Sequence, residues 1–225
     1  QLFARTQAMM ARERRFTSDA AHELRSPLTA LKVQTEVAQL SLDDPQAQAK
    51  ALTQLHAGID RASRLVEQLL TLSRLDSLES LDDVEPLNMA DLLQSVVMDS
   101  YHPAQQAGIE IRLNIFDPQV TRTGQQLLLS LLVRNLLDNA VRYSPRGSRV
   151  EVTLDTHSVI VRDNGPGIAP DALTRIGERF YRPPGQDQTG SGLGLSIVKR
   201  IAALHRMTVT LGNGQHGGFE ARISW

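Results

Sequence analysis

The sequence predicts an α+β protein in two parts, a helical hairpin followed by a layered α/β domain, and three observations carry this. Apolar residues at Leu52, Leu55, Ile59, Ala62, Val66 and Leu69 recur at spacings of 3 and 4, the period of a long helix seam. The stretch from Asp76 to Pro86 is polar and acidic, has no such stripe, and reads as a linker. Beyond it the period changes to short alternating strands between helices, so the domains are expected at 1–76 and 88–225 with 77–87 joining them.

The elements follow in order. From about Leu2 to Leu42 the chain can be helical throughout, perturbed only at Pro27. Ser41-Leu-Asp-Asp-Pro45 supplies a turn and a proline suited to open the second arm. Two helices alone cannot bury a stripe of this length on both arms. A C2 dimer forming a four-helix bundle is the simplest remedy, favoured by the length of the stripe over a hairpin packed against its own C-terminal half. In the second part Asn88 caps a helix to about Gln106, Ile109 to Ile115 alternates as a half-buried strand, and Gln125 to Tyr143 is helical. Strands are expected at Val150 to Leu154 and Val159 to Arg162, a helix from about Gly192 to His205, and closing strands near Thr208 to Leu211 and Phe219 to Ile223.

Bulk properties remove several classes. A formal net charge of -1 and a pI near 6.7 argue against nucleic acid as a partner. With no cysteine there are no disulfides or thiolate metal sites, which fits a reducing compartment. No run of 18 apolar residues is present, and Gln1-Leu-Phe-Ala-Arg-Thr is not a signal peptide, so no segment is expected to span a membrane. The missing initiator methionine suggests a fragment, which without such a segment is expected to be soluble. Arg12, Arg14 and Arg15 read as a solvated helix face, and His56, His102, His157, His205 and His216 as surface or packing residues without metal-ligand spacing.

Five short blocks carry chemistry. In Phe16-Thr-Ser-Asp-Ala-Ala-His22-Glu23-Leu24-Arg25-Ser26-Pro27-Leu28, the residues Leu24, Leu28 and Leu31 mark a buried stripe, and His22 lies roughly opposite, pointing outward. Pro27 cannot donate to the Glu23 carbonyl, so a bend or bulge is expected there, and Ser26 shares the face of His22. By itself this is an ordinary exposed histidine.

Asn135, Asn139 and Arg142 fall at i, i+4 and i+7 on a leucine-rich helix, suiting a hard cation such as Mg²⁺ and the phosphates that carry it. The bland alternative is an exposed amide face. Val159-Ile-Val-Arg-Asp163-Asn-Gly165-Pro-Gly167 ends a strand on a carboxylate and a glycine turn, which suits the exocyclic amine of adenine; by itself Asp-Asn-Gly strongly favours an Asx turn capping a hairpin. Glu178-Arg-Phe180-Tyr-Arg182 leads into the polar loop Pro183 to Thr189, with the composition of a phosphate lid or of any surface loop. Gly190-Ser-Gly192-Leu-Gly194-Leu195 opens the last long helix, whose free N–H groups attract phosphate. It is not a dinucleotide fingerprint, since no buried strand precedes it, and the P-loop and eukaryotic kinase signatures are absent.

In their order and spacing these blocks closely resemble bacterial two-component sensor histidine kinases, from about Arg12 to Trp225. The resemblance implies a dimerisation and phosphoacceptor hairpin joined to a Bergerat-type α/β sandwich that binds ATP and Mg²⁺, acting as a homodimer with a response regulator receiver domain as partner. It also implies autophosphorylation of His22, transfer to a regulator aspartate, and a full-length protein anchored at the cytoplasmic side of the bacterial inner membrane. By the same resemblance His22 is the phosphoacceptor, Glu23 its base, and Ser26 sits at the position tied to regulator dephosphorylation. Asn139 is then the Mg²⁺ ligand with Asn135 near the phosphates, Arg142 contacts phosphate, and Tyr143 the adenine side. Asp163 matches the adenine-binding aspartate, Gly165 and Gly167 its turn, and Gly190, Gly192 and Gly194 the lid hinge, with Phe180, Arg182 and Leu195 also lining the nucleotide. Relatives often carry Thr or Asn where Ser26 stands, and the lid is slightly short. The competing readings are a degenerate ATP-binding dimeric signalling scaffold and an ATPase of the wider Bergerat group, which lacks the histidine hairpin.

Overall fold

The computed structural model describes residues 2–185, 188, 190–215 and 217–225, without the side chains of residues 2–6, 8, 9 and 11–15. The expectations placed on the side chains of Arg12, Arg14 and Arg15, on Gln186, Asp187 and Thr189, and on His216 therefore lie outside the described residues. The chain divides into two compact units, Gln1–Thr71 and Leu72–Trp225.

The first unit is the hairpin of α1 (Leu2–Leu40) and α2 (Pro45–Ser77), the last turns of α2 belonging to the second unit. Asp44 caps α2, its Oδ1 accepting the N–H groups of Gln46 at 3.1 Å and Ala47 at 3.0 Å, while Pro45 needs no partner at the first helical position. The bulge expected at Pro27 does not interrupt α1, which remains α-helical through it. The Arg25 carbonyl takes the Thr29 hydroxyl at 2.9 Å.

The expected buried stripe is corrected at Leu28, which is 59% exposed. The packed line of α1 instead steps through Leu24, Pro27, Leu31, Gln34 and Ala38, all half-buried, at alternating spacings of 3 and 4. Facing it, Gly58 of α2 is buried: a β-carbon placed there would lie 2.7 Å from Leu31 Cδ2. The stripe of α2 splits likewise. Leu55, Ala62 and Leu69 are covered, whereas Leu52, Ile59 and Val66, one per heptad, stay 47%, 45% and 41% exposed in the single chain.

The second unit is a two-layer α/β fold. Its elements are β1 (Glu85–Asn88), α3 (Met89–Ala107), β2 (Glu110–Ile115), β3 (Thr121–Gly124), α4 (Gln126–Tyr143), β4 (Arg149–Leu154), β5 (Ser158–Arg162), α5 (Pro170–Leu173), α6 (Gly194–Leu204), β6 (Thr208–Asn213) and β7 (Phe219–Ser224). Asn88 caps α3 as expected, accepting from the N–H groups of Ala90 at 2.8 Å and Asp91 at 3.1 Å. Glu85 and Pro86, read from sequence as linker, lie in β1, which pairs antiparallel with β3. The last long helix begins at Gly194 rather than near Gly192.

The main sheet has the order β2-β4-β5-β7-β6, with β2 and β4 parallel and the other pairs antiparallel. Helix α4 packs against both α3 and α6. Val150, Val152, Leu154, Val159, Val161, Ala221 and Ile223 point into the core, opposite a helix layer that buries Leu136, Leu137, Ile197 and Ile201. The opposite face carries Arg162 and Arg222 on Glu220, and Arg112 and Arg149 on Glu110. Such a charged, solvated face matches strict alternation along the strands. The consequence for function is positional: α4, the end of β5 and the start of α6 converge at one end of the domain.

Candidate functional site

Asn135 sits on the inner side of α4, buried, and its Nδ2 donates to the Leu131 carbonyl at 2.8 Å. That bond turns its Oδ1 toward the first residue of α6. A β-carbon at Gly194 would lie 3.2 Å from this oxygen and 3.5 Å from Asn139 Nδ2, so both amides meet the start of α6. One turn further along α4, Arg142 NH1 stands 3.1 Å and the Tyr143 hydroxyl 3.9 Å from where a β-carbon of Gly190 would be. The i, i+4, i+7 stripe thus faces the glycine run from end to end.

Asp163 directly follows β5 and is only 4% exposed. Its Oδ1 accepts the N–H of Gly165 at 2.8 Å and of Phe219 at 2.9 Å, and among the described residues Oδ2 accepts none. Burial pushes the carboxyl above the usual range, against the pull of those two N–H bonds. The Asx turn foreseen as the bland alternative is therefore present, and the carboxylate still keeps one oxygen for another donor. A β-carbon at Gly165 would lie 2.6 Å from the Tyr143 carbonyl, which puts the Asp163 turn directly against the end of α4.

Two residues of this turn escaped the sequence reading. Asn213 clamps it, its Oδ1 accepting from the Ile168 N–H and its Nδ2 donating to the Ile168 carbonyl, both at 2.8 Å. Gly218, at φ 73°, lets the chain pass where a β-carbon would be 1.9 Å from the Asp163 carbonyl. The only signal was the glycine pair at 217–218; the 45-residue separation of Asn213 from Ile168 leaves no local trace.

At the base of the loop between Phe180 and Gly192, Phe180 takes φ 62° and its N–H donates to the Gly192 carbonyl at 3.1 Å. Arg182 is exposed and donates to the Gln188 carbonyl within the loop. Leu195 is half-buried in the first turn of α6, after Leu193, which is wholly buried. At the far end of that helix His205 is not a plain surface residue. Its Nε2 accepts the N–H of Gln125, the residue before α4, at 3.2 Å, so Nδ1 carries the proton to the Ile201 carbonyl at 2.8 Å. Burial pushes this imidazole below the ordinary histidine value.

His22, Glu23 and Ser26 belong to the first unit. His22 and Ser26 are exposed on one face of α1 and Glu23 is half-buried. The Ser26 hydroxyl has no bond among the described residues; the back-bond near Pro27 is made by Thr29. Among the described residues no three His, Asp or Glu side chains gather as a metal site, and no helix is long and apolar enough to cross a membrane.

Comparison with known proteins returns two family models, the His Kinase A (phospho-acceptor) domain over residues 12–78 and the histidine kinase-, DNA gyrase B-, and HSP90-like ATPase over residues 124–225. The chain is 74% identical over 225 residues to the sensor protein QseC of Escherichia coli (strain K12), matching all of this chain and 50% of that protein. It is 42% identical over 228 residues to the sensor protein kinase PmrB of Pseudomonas aeruginosa, matching 99% of this chain and 47% of that one. The chain thus spans about half the length of the curated relatives it matches. Among solved structures, the cytoplasmic segment of histidine kinase QseC superposes with a TM-score of 0.55 at 57% identity, covering 74% of this chain and 93% of that one.

Proposed function

The chain belongs to the sensor histidine kinases, and from that premise we propose that it is a protein-histidine kinase core which phosphorylates itself on His22 with ATP and passes the phosphoryl group to an aspartate of a response regulator receiver domain. The observation that supports this most is the pairing, in one chain, of an exposed histidine on a helical hairpin with a second unit in which Asn135, Asn139, Arg142 and Asp163 converge on one glycine-lined end.

In this reading the Asp163 Oδ2 accepts from the exocyclic amine of adenine. Guanine, with a carbonyl there, would leave a buried acid unpaired. Tyr143 flanks the base, while Arg142 and the α6 N–H groups beyond Gly194 draw the phosphates. Phe180, Arg182, Gly190, Gly192 and Leu195 form the lid base and its phosphate side. Gly165 and Gly167 let the backbone close on the base. A hard cation that keeps several waters and binds chiefly through nucleotide phosphates suits a single amide oxygen beside them. Asn139 would hold Mg²⁺ with Asn135 behind it, and the ion would supply neutralisation of phosphate charge.

In the transfer a neutral His22 ring nitrogen forms a bond to the γ-phosphorus as the bond to the ADP oxygen breaks. Glu23 takes the proton from the other ring nitrogen. The protein's contribution is positioning, because phosphoryl transfer has little covalent chemistry for side chains to perform. The heptad-spaced Leu52, Ile59 and Val66 would be covered by a second copy in a four-helix bundle. The full-length protein would stand at the cytoplasmic side of the inner membrane.

Incubation with γ-labelled ATP tests the reading. The label should enter the chain as an acid-labile, base-stable phosphoramidate and be absent from His22→Gln, which should still bind nucleotide. Binding without incorporation in the unaltered chain would leave the scaffold reading, and incorporation into the variant would remove His22 as acceptor.

A further inference from the structure

The last turn of α2 is held within the second unit by two arginines that flank the lid. Asp76 lies 2.8 Å through Oδ1 and 2.7 Å through Oδ2 from Arg179 NH2. Arg200 Nε stands 3.9 Å from Asp76 Oδ1 and donates to the Leu75 carbonyl at 3.0 Å, while its NH2 donates to the Leu78 carbonyl. Arg200 thereby gives a second donor to the Leu75 carbonyl, which also accepts the Leu78 N–H at 3.3 Å, and one to the Leu78 carbonyl just past the helix, and its charge suits the negative end of the helix dipole. Below them Leu72 and Leu75 are 0% and 2% exposed.

The places of the two arginines matter. Arg179 immediately precedes Phe180, whose N–H closes the lid base on Gly192, and Arg200 lies on α6, the helix that Gly194 opens. One carboxylate on α2 therefore touches both sides of the lid's root. α2 runs without a break from Pro45 to Ser77, and the turn that these arginines grip is the part of it that belongs to the second unit.

We infer that Asp76 is a positioning residue for phosphoryl transfer, holding Arg179 and Arg200 so that the lid base moves as one body with the end of α2. This rests on the histidine kinase reading above. The grip does not touch nucleotide, so its loss leaves ATP affinity alone and lowers only the rate at which bound ATP meets His22, since a wider spread of orientations lowers effective concentration.

The test uses the 225-residue chain and its Asp76→Asn, Asp76→Glu and Arg179→Gln variants, with ATP binding by titration and His22 phosphorylation at saturating ATP. Asp76→Asn and Arg179→Gln should each slow phosphorylation by roughly three- to tenfold at unchanged ATP affinity, the double variant should be no slower than either, and Asp76→Glu should recover most of the rate. The ratio of wild-type to Asp76→Asn rates should fall toward one as salt rises to about 0.5 M, because the pair is partly exposed. An unchanged or faster Asp76→Asn, additive losses, or a rate loss that tracks ATP affinity would each overturn the inference. If Asp76→Asn does not fold, Arg179→Gln alone decides by the same criteria. A wild-type chain that takes up no label fails the kinase reading instead, so the two failures are distinguishable.

Discussion

The N–H of Phe180 donates to the carbonyl of Gly192 at 3.1 Å, fastening residues 181–191 at their root. Both partners sit in the left-handed region, at φ 62° and 69°. For Phe180 that is a strained conformation, so the surrounding contacts must over-determine it.

Gly192→Ala tests this anchor. A β-carbon there would fall 2.7 and 2.8 Å from backbone atoms of Phe180, and the conformation itself costs an L-residue about 1–2 kcal/mol. ATP affinity should drop by about tenfold or more with a smaller loss in melting temperature, read by titration and thermal unfolding. Equal affinity in variant and parent would mean that the base of the loop does not matter to nucleotide.

Asp163→Asn separates turn from ligand. The substituted side chain keeps an Oδ1 to accept the N–H groups of Gly165 and Phe219, yet replaces the second oxygen by an amide NH2, a donor that would face the donating adenine amine. Thermal stability should stay close to the parent while ATP binding weakens by roughly 10- to 100-fold, about 1.5–3 kcal/mol. Unchanged binding would reduce Asp163 to a turn residue.

Much of this arrangement was legible in the sequence, for reasons that differ by element. The amide stripe of α4 was readable because 3.6-residue periodicity puts Asn135, Asn139 and Arg142 on one face whatever the tertiary context. The α3 cap at Asn88 was equally local. The β1–β3 pair was not readable, since four-residue strands such as Glu85–Asn88 show no alternation and the Glu85-Pro86 dipeptide mimics a linker. Leu28 misled because single-helix periodicity cannot tell a face turned to the other arm from one left open. Asn213, Gly218, His205 and the Asp76 grip depend on contacts across dozens of residues, which no local pattern encodes.

His205 gives a pH dependence with a definite sign. Its neutral Nε2 accepts the Gln125 N–H, between the glycine of β3 and the end of α6, and burial depresses its folded-state value. The unfolded chain therefore binds the proton more readily. The stability it contributes is complete above the ordinary histidine value and is lost as pH falls from there toward the depressed one. Urea unfolding of the parent should lose stability in that window, and His205→Gln should show a flatter profile there. Parallel profiles would refute the assignment.

Gly58→Ala probes the hairpin. Alanine favours the helix by about 0.8–1 kcal/mol, but its β-carbon would press on Leu31 Cδ2 at 2.7 Å, and overpacking typically costs about 1–3 kcal/mol. The clash should win, giving a net loss near 1 kcal/mol in denaturant unfolding. Adding Leu31→Ala should turn the Gly58→Ala change from unfavourable to favourable, the signature of direct contact.

Ser26→Ala separates two chemistries on one helix face. Ser26 lies one turn beyond His22, exposed, and its hydroxyl has no bond among the described residues, since the back-bond near Pro27 belongs to Thr29 and Arg25. That weakens a purely local structural role and leaves the hydroxyl available to a docked partner. It can orient a water toward a phospho-aspartate, a step that needs a hydrogen-bonding group, whereas attack of the imidazole on ATP needs none at this position. Autophosphorylation of Ser26→Ala should therefore match the parent while decay of the phosphorylated regulator slows, by roughly the 10²-fold or more that a positioned proton-handling group contributes if it is the main one. Ser26→Thr, which keeps the hydroxyl, should recover the decay. If regulator decay is unchanged in Ser26→Ala, the water-positioning role is excluded; if both rates fall together, Ser26 supports the helix around His22 instead.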